Sequence, residues 1–244
     1  MNILLLPSSA FVKHSQTAAI TATITDGNQL HHIKTVLGAN LGDTLKIGAL
    51  GGQMGTGVLS KFTDNQAVLN NITLTATPPA KLGVTLILAL PRPKVLRRLI
   101  MDMTAIGVDK IVLINSYRTD KSYWGSPLLA RIDDFVHEGL QQGVDTVVPN
   151  VYLAKCFKPF VQDELPSLIQ NKKAVVFHPY AEQSFGEYQQ NNPLPSVVIV
   201  GAEGGFIPYE IELLQSVGVQ AASLGSRILR TESAVNAVLG RWLG

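Results

Sequence analysis

Two rhythms of apolar and polar residues divide this chain. Up to about residue 75 the apolar residues come in short clusters separated by turn formers. Residues 1–6 are apolar and end at Pro7, which predicts an opening strand. Thr44-Leu-Lys-Ile47 follows the Gly42-Asp43 turn, and residues 57–60 and 66–69 flank Thr63-Asp64-Asn65. Strands this short at this spacing predict a small β-barrel, with residues 29–37 as its one helix. The stretch Thr75-Ala-Thr-Pro-Pro-Ala-Lys-Leu-Gly83 then breaks the pattern with two prolines and a glycine. It divides the chain into a first domain over residues 1–77 and a second over 78–244.

Beyond it the rhythm lengthens. Residues 84–90 form a near-continuous apolar run, as expected of a strand buried on both faces. Residues 93–106 carry Leu96, Leu99, Ile100 and Met103 at helical spacing and stop at Gly107. The alternation continues with a strand at 110–114, a helix at 127–142 and an edge strand at 146–148. A helix at 160–169 and strands at 174–177 and 197–200 come next. A helix at 208–217, a strand at 221–224 and a helix at 232–243 complete the chain. Strands alternating with helices predict an α/β domain on a mostly parallel sheet.

Composition narrows the class. Hydrophobic residues make up 46% and charged residues 16%, which fits a well-cored globule and excludes a disordered chain. Cys156 is the single cysteine, so no intrachain disulfide and no cysteine metal cluster can form. The apolar start is too short for a signal segment or a membrane span, which leads us to expect a cytoplasmic protein. His14, His31 and His32 have no carboxylate or cysteine partner at ligand spacing, so no metal site is expected. No Gly-x-Ser-x-Gly elbow exists, which removes the commonest serine hydrolase.

Net charge is only +2, but it is unevenly spread. Residues 81–131 carry nine Lys/Arg against three Asp, a net of +6, while residues 132–244 carry a net of −5. A basic stretch holding Arg92, Lys94, Arg97, Arg98 and Arg118 suits a polyanion, although a solvated helix face would have the same composition.

In parallel sheets, ligands bind beyond the carboxyl ends of the strands. Three predicted strand ends carry unusual residues. Phe177-His178-Pro179 is one, though a lone His-Pro also serves as an ordinary turn. Val200-Gly201-Ala-Glu-Gly-Gly-Phe206 is the second, with Pro208 opening the next helix. It lacks the Gly-Lys-Ser/Thr of a phosphate loop and the spacing of a dinucleotide fingerprint. Glu203 inside it disfavours a phosphate guest, whereas a neutral or cationic ligand such as a sulfonium fits; a plain strand–helix turn is the other reading. The third is Leu224-Gly-Ser-Arg-Ile-Leu-Arg-Thr-Glu232, whose apolar positions beside a glycine could sandwich an adenine. An Arg230–Glu232 pair at a helix start is the alternative there.

Together the second and third segments closely resemble the C-terminal signature of the ribosomal RNA small subunit methyltransferase E family. These are 16S rRNA uracil-N3 methyltransferases of the SPOUT superfamily. His31-His-Ile-Lys-Thr-Val-Leu37 with Gly42-Asp43, Ala89-Leu-Pro91, Gly107-Val108 and Phe177-His-Pro179 match in order, so the resemblance spans the chain. It implies a PUA-like barrel followed by a SPOUT domain with a trefoil knot, and a homodimer acting on 16S rRNA or the small ribosomal subunit. It implies S-adenosylmethionine as cofactor, held first by Phe177, His178, Pro179, Val200, Gly201, Glu203, Gly204 and Gly205. Ser223, Leu224, Gly225, Ile228, Leu229, Arg230, Thr231 and Glu232 would complete the pocket.

Methylating a uracil N3 requires the loss of its imide proton, and a cation beside O2 or O4 would stabilise the anion as it forms. Arg118 or Arg230 is assigned that catalytic role, with Arg92, Lys94, Arg97, Arg98 and Arg118 contacting the RNA. Three positions depart from the family pattern: Gly38 and Asp145, where arginine is usual, and Ala105-Ile106 in place of Glu-Leu. Two lost arginines leave room for two rivals. One is a related methyltransferase with another target nucleotide; the other is an inactive RNA-binding or assembly factor.

Overall fold

The computed structural model describes residues 2–14 and 19–243 and separates into two compact units. One unit comprises Met1–Ala80 with His137–Val148, the other Lys81–Val136 with Pro149–Gly244.

In the first unit β1 (Leu4–Leu6), β2 (Phe11–Lys13), β3 (Ile20–Ile24), β4 (Thr44–Ala49), β5 (Met54–Phe62) and β6 (Ala67–Ala76) form one sheet. Its order is β1-β4-β5-β6-β3-β2, with β1 parallel to β4 and every other pair antiparallel. Leu4, Leu6, Ile24, Leu45, Ile47 and Leu69 alternate inward along these strands and pack with Leu30 and Ile33. Those two come from α1 (Gly27–His31) and the π turn His32–Val36, together the predicted helix. Asp26 starts it by accepting the Gln29 N–H at 2.9 Å.

Two departures from the family pattern have backbone reasons here. Gly38 follows the helix end with φ +58°, a left-handed conformation that costs a side-chain-bearing residue strain. Asp145 is buried, and its Oδ1 accepts the N–H groups of Thr146 and Val147 at 2.6 and 2.9 Å. The same bonds correct the edge strand expected at residues 146–148. With the Thr146 carbonyl also taken by the Gly51 N–H at 2.8 Å, little of that backbone is left for a ladder.

The second unit holds a wholly parallel sheet of β7 (Thr85–Ala89), β8 (Lys110–Ile114), β9 (Asn150–Ala154), β10 (Ala174–Phe177), β11 (Val197–Val200) and β12 (Gln220–Ala222). Strand order is β12-β10-β11-β7-β8-β9, so β9 and β12 are the two edges. Residues of β7, β10 and β11 are buried throughout, the pattern of strands covered on both faces. The unit's helices are α2 (Pro93–Ile106), α4 (Phe157–Pro159), α5 (Leu165–Ile169), α6 (Phe185–Asn191), α7 (Pro208–Ser216) and α8 (Thr231–Leu239), while α3 (Ile132–Gly143) belongs to this unit only as far as Val136. Pro93 at the first turn and Gly107 at φ +98° delimit α2, which buries Leu96, Leu99, Ile100 and Met103. Each such side chain taken from water contributes roughly 1.5–3 kcal/mol, which holds α2 in place far more firmly than helix propensity does.

Candidate active site

Because every strand of the second sheet runs the same way, the segments after β7, β8, β10, β11 and β12 leave one edge together. Those after β8, β10, β11 and β12 line a cavity of about 350 Å³, within the range of small-molecule sites. Phe177, His178 and Pro179 line it from β10; Val200, Gly201, Glu203, Gly204 and Gly205 from β11. Leu224, Ile228, Leu229 and Thr231 close the side beyond β12, and Arg118 enters from the segment after β8. Three separately read strand ends thus meet in one pocket.

Four residues of the predicted set lie beside the cavity rather than on its wall. Ser223 is buried, and its N–H donates to the Gln183 carbonyl at 2.9 Å. Gly225, at φ +105°, turns the chain away from β12. Arg230 is the residue before α8, and Glu232 sits in that helix's first turn. Among the described residues the ion pairs include none between Arg230 and Glu232. Tyr180, Ala202, Phe206, Pro208, Arg227 and Ala234 also line the pocket and were not singled out from the sequence. Ala202, Phe206 and Arg227 lie inside the motifs already read, without being named as contacts, and Tyr180, Pro208 and Ala234 stand within two residues of a motif.

The glycine loop is shaped by close approach. A Cβ added at Gly201 would meet the Gly205 Cα at 3.0 Å and the Phe206 nitrogen at 3.4 Å. One added at Gly204 would lie 2.8 Å from the Arg118 Cβ. Gly205 has φ +64°, and its N–H closes a turn on the Ala202 carbonyl at 2.9 Å.

Charge in the pocket is arranged differently from the sequence reading. Glu203 does not stand free to select a cation. Its Oε1 accepts both the backbone N–H of Arg92 at 3.2 Å and the Arg92 Nε at 3.1 Å. The Arg92 side chain is 63% exposed, so this pair contributes little stability; what it does is tie the segment after β7 to the glycine loop. Arg92 is thereby partly committed, whereas Lys94 and Arg98 are exposed on α2. Arg97 is exposed too but lies over the Phe135 ring, 5.7 Å from its centroid.

Arg118 donates from Nη1 to the Gly204 carbonyl at 2.6 Å, leaving the rest of its N–H fork for a ligand. Burial pushes the His178 imidazole below the ordinary histidine range, and the Arg118 charge adds to the shift. Both effects favour the neutral ring, which lies edge-on to Tyr180 at 5.6 Å. At the rim Ile228 is 72% exposed and Leu229 38%, an apolar surface open to a flat guest. Among the described residues no group of His, Cys, Asp or Glu is arranged to hold a metal ion. Among them, too, no helix is long and apolar enough to cross a membrane.

Comparison with known proteins gives this geometry a context. The RNA methyltransferase domain family matches residues 78–243. The ribosomal RNA small subunit methyltransferase E of Treponema pallidum is 26% identical over 83% of this chain and 77% of its own length. The protein of that name from Synechocystis is 28% identical over 94% of this chain and 75% of its own length. Among solved structures, a ribosomal RNA small subunit methyltransferase E from Neisseria gonorrhoeae, bound to S-adenosyl methionine, shares the fold with a TM-score of 0.74. It is 20% identical, and the match covers 99% of this chain and 96% of that one.

Proposed function

This chain belongs to the RNA methyltransferase domain family, and we propose that it methylates N3 of a uridine in 16S rRNA. It is an S-adenosylmethionine-dependent rRNA methyltransferase, as its small subunit methyltransferase E relatives indicate. The observation that carries the assignment is the single pocket in which the glycine loop, the segment after β12 and Arg118 converge. The match beginning at residue 78 supports dividing the chain into domains 1–77 and 78–244.

The residues present fit the cofactor. Gly201 and Gly204 let the loop fold tightly where a Cβ would collide with Gly205 and with Arg118, and the compact loop so formed lines the cavity. Phe177, Val200, Ile228 and Leu229 offer apolar surface to the adenine, and Arg227 at the rim suits the methionine carboxylate. When bound, S-adenosylmethionine supplies an electrophilic methyl on its sulfonium. The protein's task is then chiefly alignment, and it needs no metal for this. A uracil must be unstacked before its N3 can reach the pocket. Of the two arginines named from the sequence, Arg118 lines the cavity and Arg230 does not. We therefore assign Arg118 to the imide oxygen that gains charge as N3 loses its proton.

Lys94, Arg97 and Arg98 on α2 are assigned to RNA phosphates. Affinity for rRNA should fall steeply with salt. Replacing Arg97 and Arg98 by Ala should flatten the slope of log affinity against log salt by about 1 for each phosphate contact removed. Filter binding across a salt series measures this, and an unchanged slope would remove α2 from the interface.

The remaining parts of the proposal are a PUA-like barrel, a trefoil knot and a homodimer. Register shifts along β5 and β6, which bend that ribbon, support the barrel. The placement of β10 between β11 and β12, which gathers three loops at one edge, supports the knot. The target is tested by digesting 16S rRNA from cells lacking the gene and measuring nucleosides by mass spectrometry. Loss of 3-methyluridine, restored by the wild-type gene, is expected; loss of a different methylated nucleoside instead would refute the N3 assignment.

A further inference from the structure

Glu210, in the first turn of α7, is only 2% exposed. Its carboxylate reaches two chain segments far apart in sequence. Oε2 accepts the Ile207 N–H at 2.9 Å, the ordinary reach of a third-position glutamate back to the start of its own helix. Oε1 accepts the Tyr117 N–H at 2.8 Å, in the segment after β8. A glutamate serving only to cap α7 would satisfy Ile207 with one oxygen and leave the other to solvent. Here both oxygens are spent, and the second one fixes the residue next to Arg118.

From Tyr117 the constraint passes directly to the arginine. Residues 116–119 form a closed turn: the Thr119 N–H donates to the Ser116 carbonyl at 3.0 Å, and the two hydroxyls lie 2.9 Å apart. The Arg118 stem leaves this turn so close to Gly204 that a Cβ there would lie 2.8 Å from the Arg118 Cβ. The guanidinium then bonds to the Gly204 carbonyl at 2.6 Å. The segment from β11 to α7 thus holds the arginine at both ends, its backbone through Glu210 and its tip through Gly204.

We infer that Glu210 is a positioning residue for Arg118, setting the arginine's place over the reacting base through the backbone of Tyr117. The inference rests on the catalytic assignment of Arg118 made above. Glu210→Gln preserves size and one acceptor but turns an amide donor toward one of the two N–H groups.

The test is a double-mutant cycle on the full chain, combining Glu210→Gln with Arg118→Ala, read by methyl-transfer kinetics and by cofactor calorimetry. With Arg118 present, Glu210→Gln should lower kcat about 30-fold, a loss typical of a slightly misplaced group, with the S-adenosylmethionine Kd changed no more than about 3-fold. With Arg118 already replaced, the same change should cost less than about 3-fold, because no guanidinium is left to misplace. The Arg118 Nε–H resonance should also shift and broaden in Glu210→Gln. Equal losses in both backgrounds, or an unmoved resonance, would overturn the positioning role. If Arg118→Ala alone leaves kcat unchanged, the catalytic assignment fails first, and that outcome is read separately from the cycle. Should Glu210→Gln not fold, Glu210→Asp, which keeps both acceptors but withdraws them, gives the same comparison.

Discussion

Replacing Gly204 by Val should weaken S-adenosylmethionine binding about 100-fold and leave the rest of the fold intact, from an overpacking cost of roughly 1–3 kcal/mol. The first added carbon would lie 2.8 Å from the Arg118 Cβ and 3.1 Å from its Cδ. The Cβ is the root of the side chain, so the arginine cannot relieve the clash by changing its far rotamers alone. Either the 116–119 turn or the glycine loop must move, and both line the cavity. The loop's own bond to Arg118, through the Gly204 carbonyl, is then lost as well. Because the clash strains the free protein too, the midpoint of thermal unfolding should fall by several degrees, at roughly 2–4 °C per kcal/mol for a chain of this size, without loss of the fold. Gly186→Ala is the matched control. It lies in α6, where an added Cβ meets nothing nearer than 3.9 Å, so cofactor affinity should be unchanged. Calorimetry on the two variants decides the matter: wild-type affinity in Gly204→Val would mean that the glycine loop is not the cofactor's wall.

Much of this pocket was legible in the sequence because its determinants are local. A strand buried on both faces writes itself as an uninterrupted apolar run, and β8, β10 and β11 begin and end where that pattern does. The glycines at 201, 204 and 205 are each explained by a close approach or a positive φ, and such demands leave only one residue type. The short helix α6 was equally local and still missed. Ser184 accepts the Glu187 N–H at 3.2 Å while Glu187 accepts the Ser184 N–H at 2.7 Å, a Ser-x-x-Glu box that reading for apolar period alone passes over.

What the sequence hid depends on partners distant along the chain. Glu203 read as a free acid choosing a cationic guest, yet Arg92, 111 residues away, occupies it. Glu210 stands where a first-turn acid complements a helix dipole, and nothing local announces that its second oxygen reaches Tyr117, 93 residues back. Asp145 read as a lost RNA contact, while its burial and its bonds to Thr146 and Val147 make it part of the backbone's own hydrogen bonding. Hydrophobic patterns fix which face of a strand is buried; they say little about which charged side chain meets which backbone across the molecule.

Arg118→Ala should lower kcat by about 100- to 1,000-fold, the range found when one preorganised donor to a developing anion is removed. Arg118 is the arginine that enters the cavity from the β8 side, and Nη1 is anchored on the Gly204 carbonyl, so the guanidinium plane is set before substrate arrives. A donor already oriented need not reorganise as charge appears on the uracil oxygen, and that advantage belongs to the transition state more than to substrate binding. The loss should therefore fall on kcat, with the S-adenosylmethionine Kd and the RNA KM each changing only a few-fold. Arg118→Lys keeps the charge but not the planar fork. It should recover only part of the rate, because one ammonium is poorly suited to bond the Gly204 carbonyl and the imide oxygen at once. Arg230→Ala, outside the cavity lining, should cost less than about 5-fold by the same logic. Single-turnover methyl transfer on 16S rRNA fragments separates these cases. Were Arg230→Ala to take the larger loss, the anion-stabilising role would pass to the start of α8.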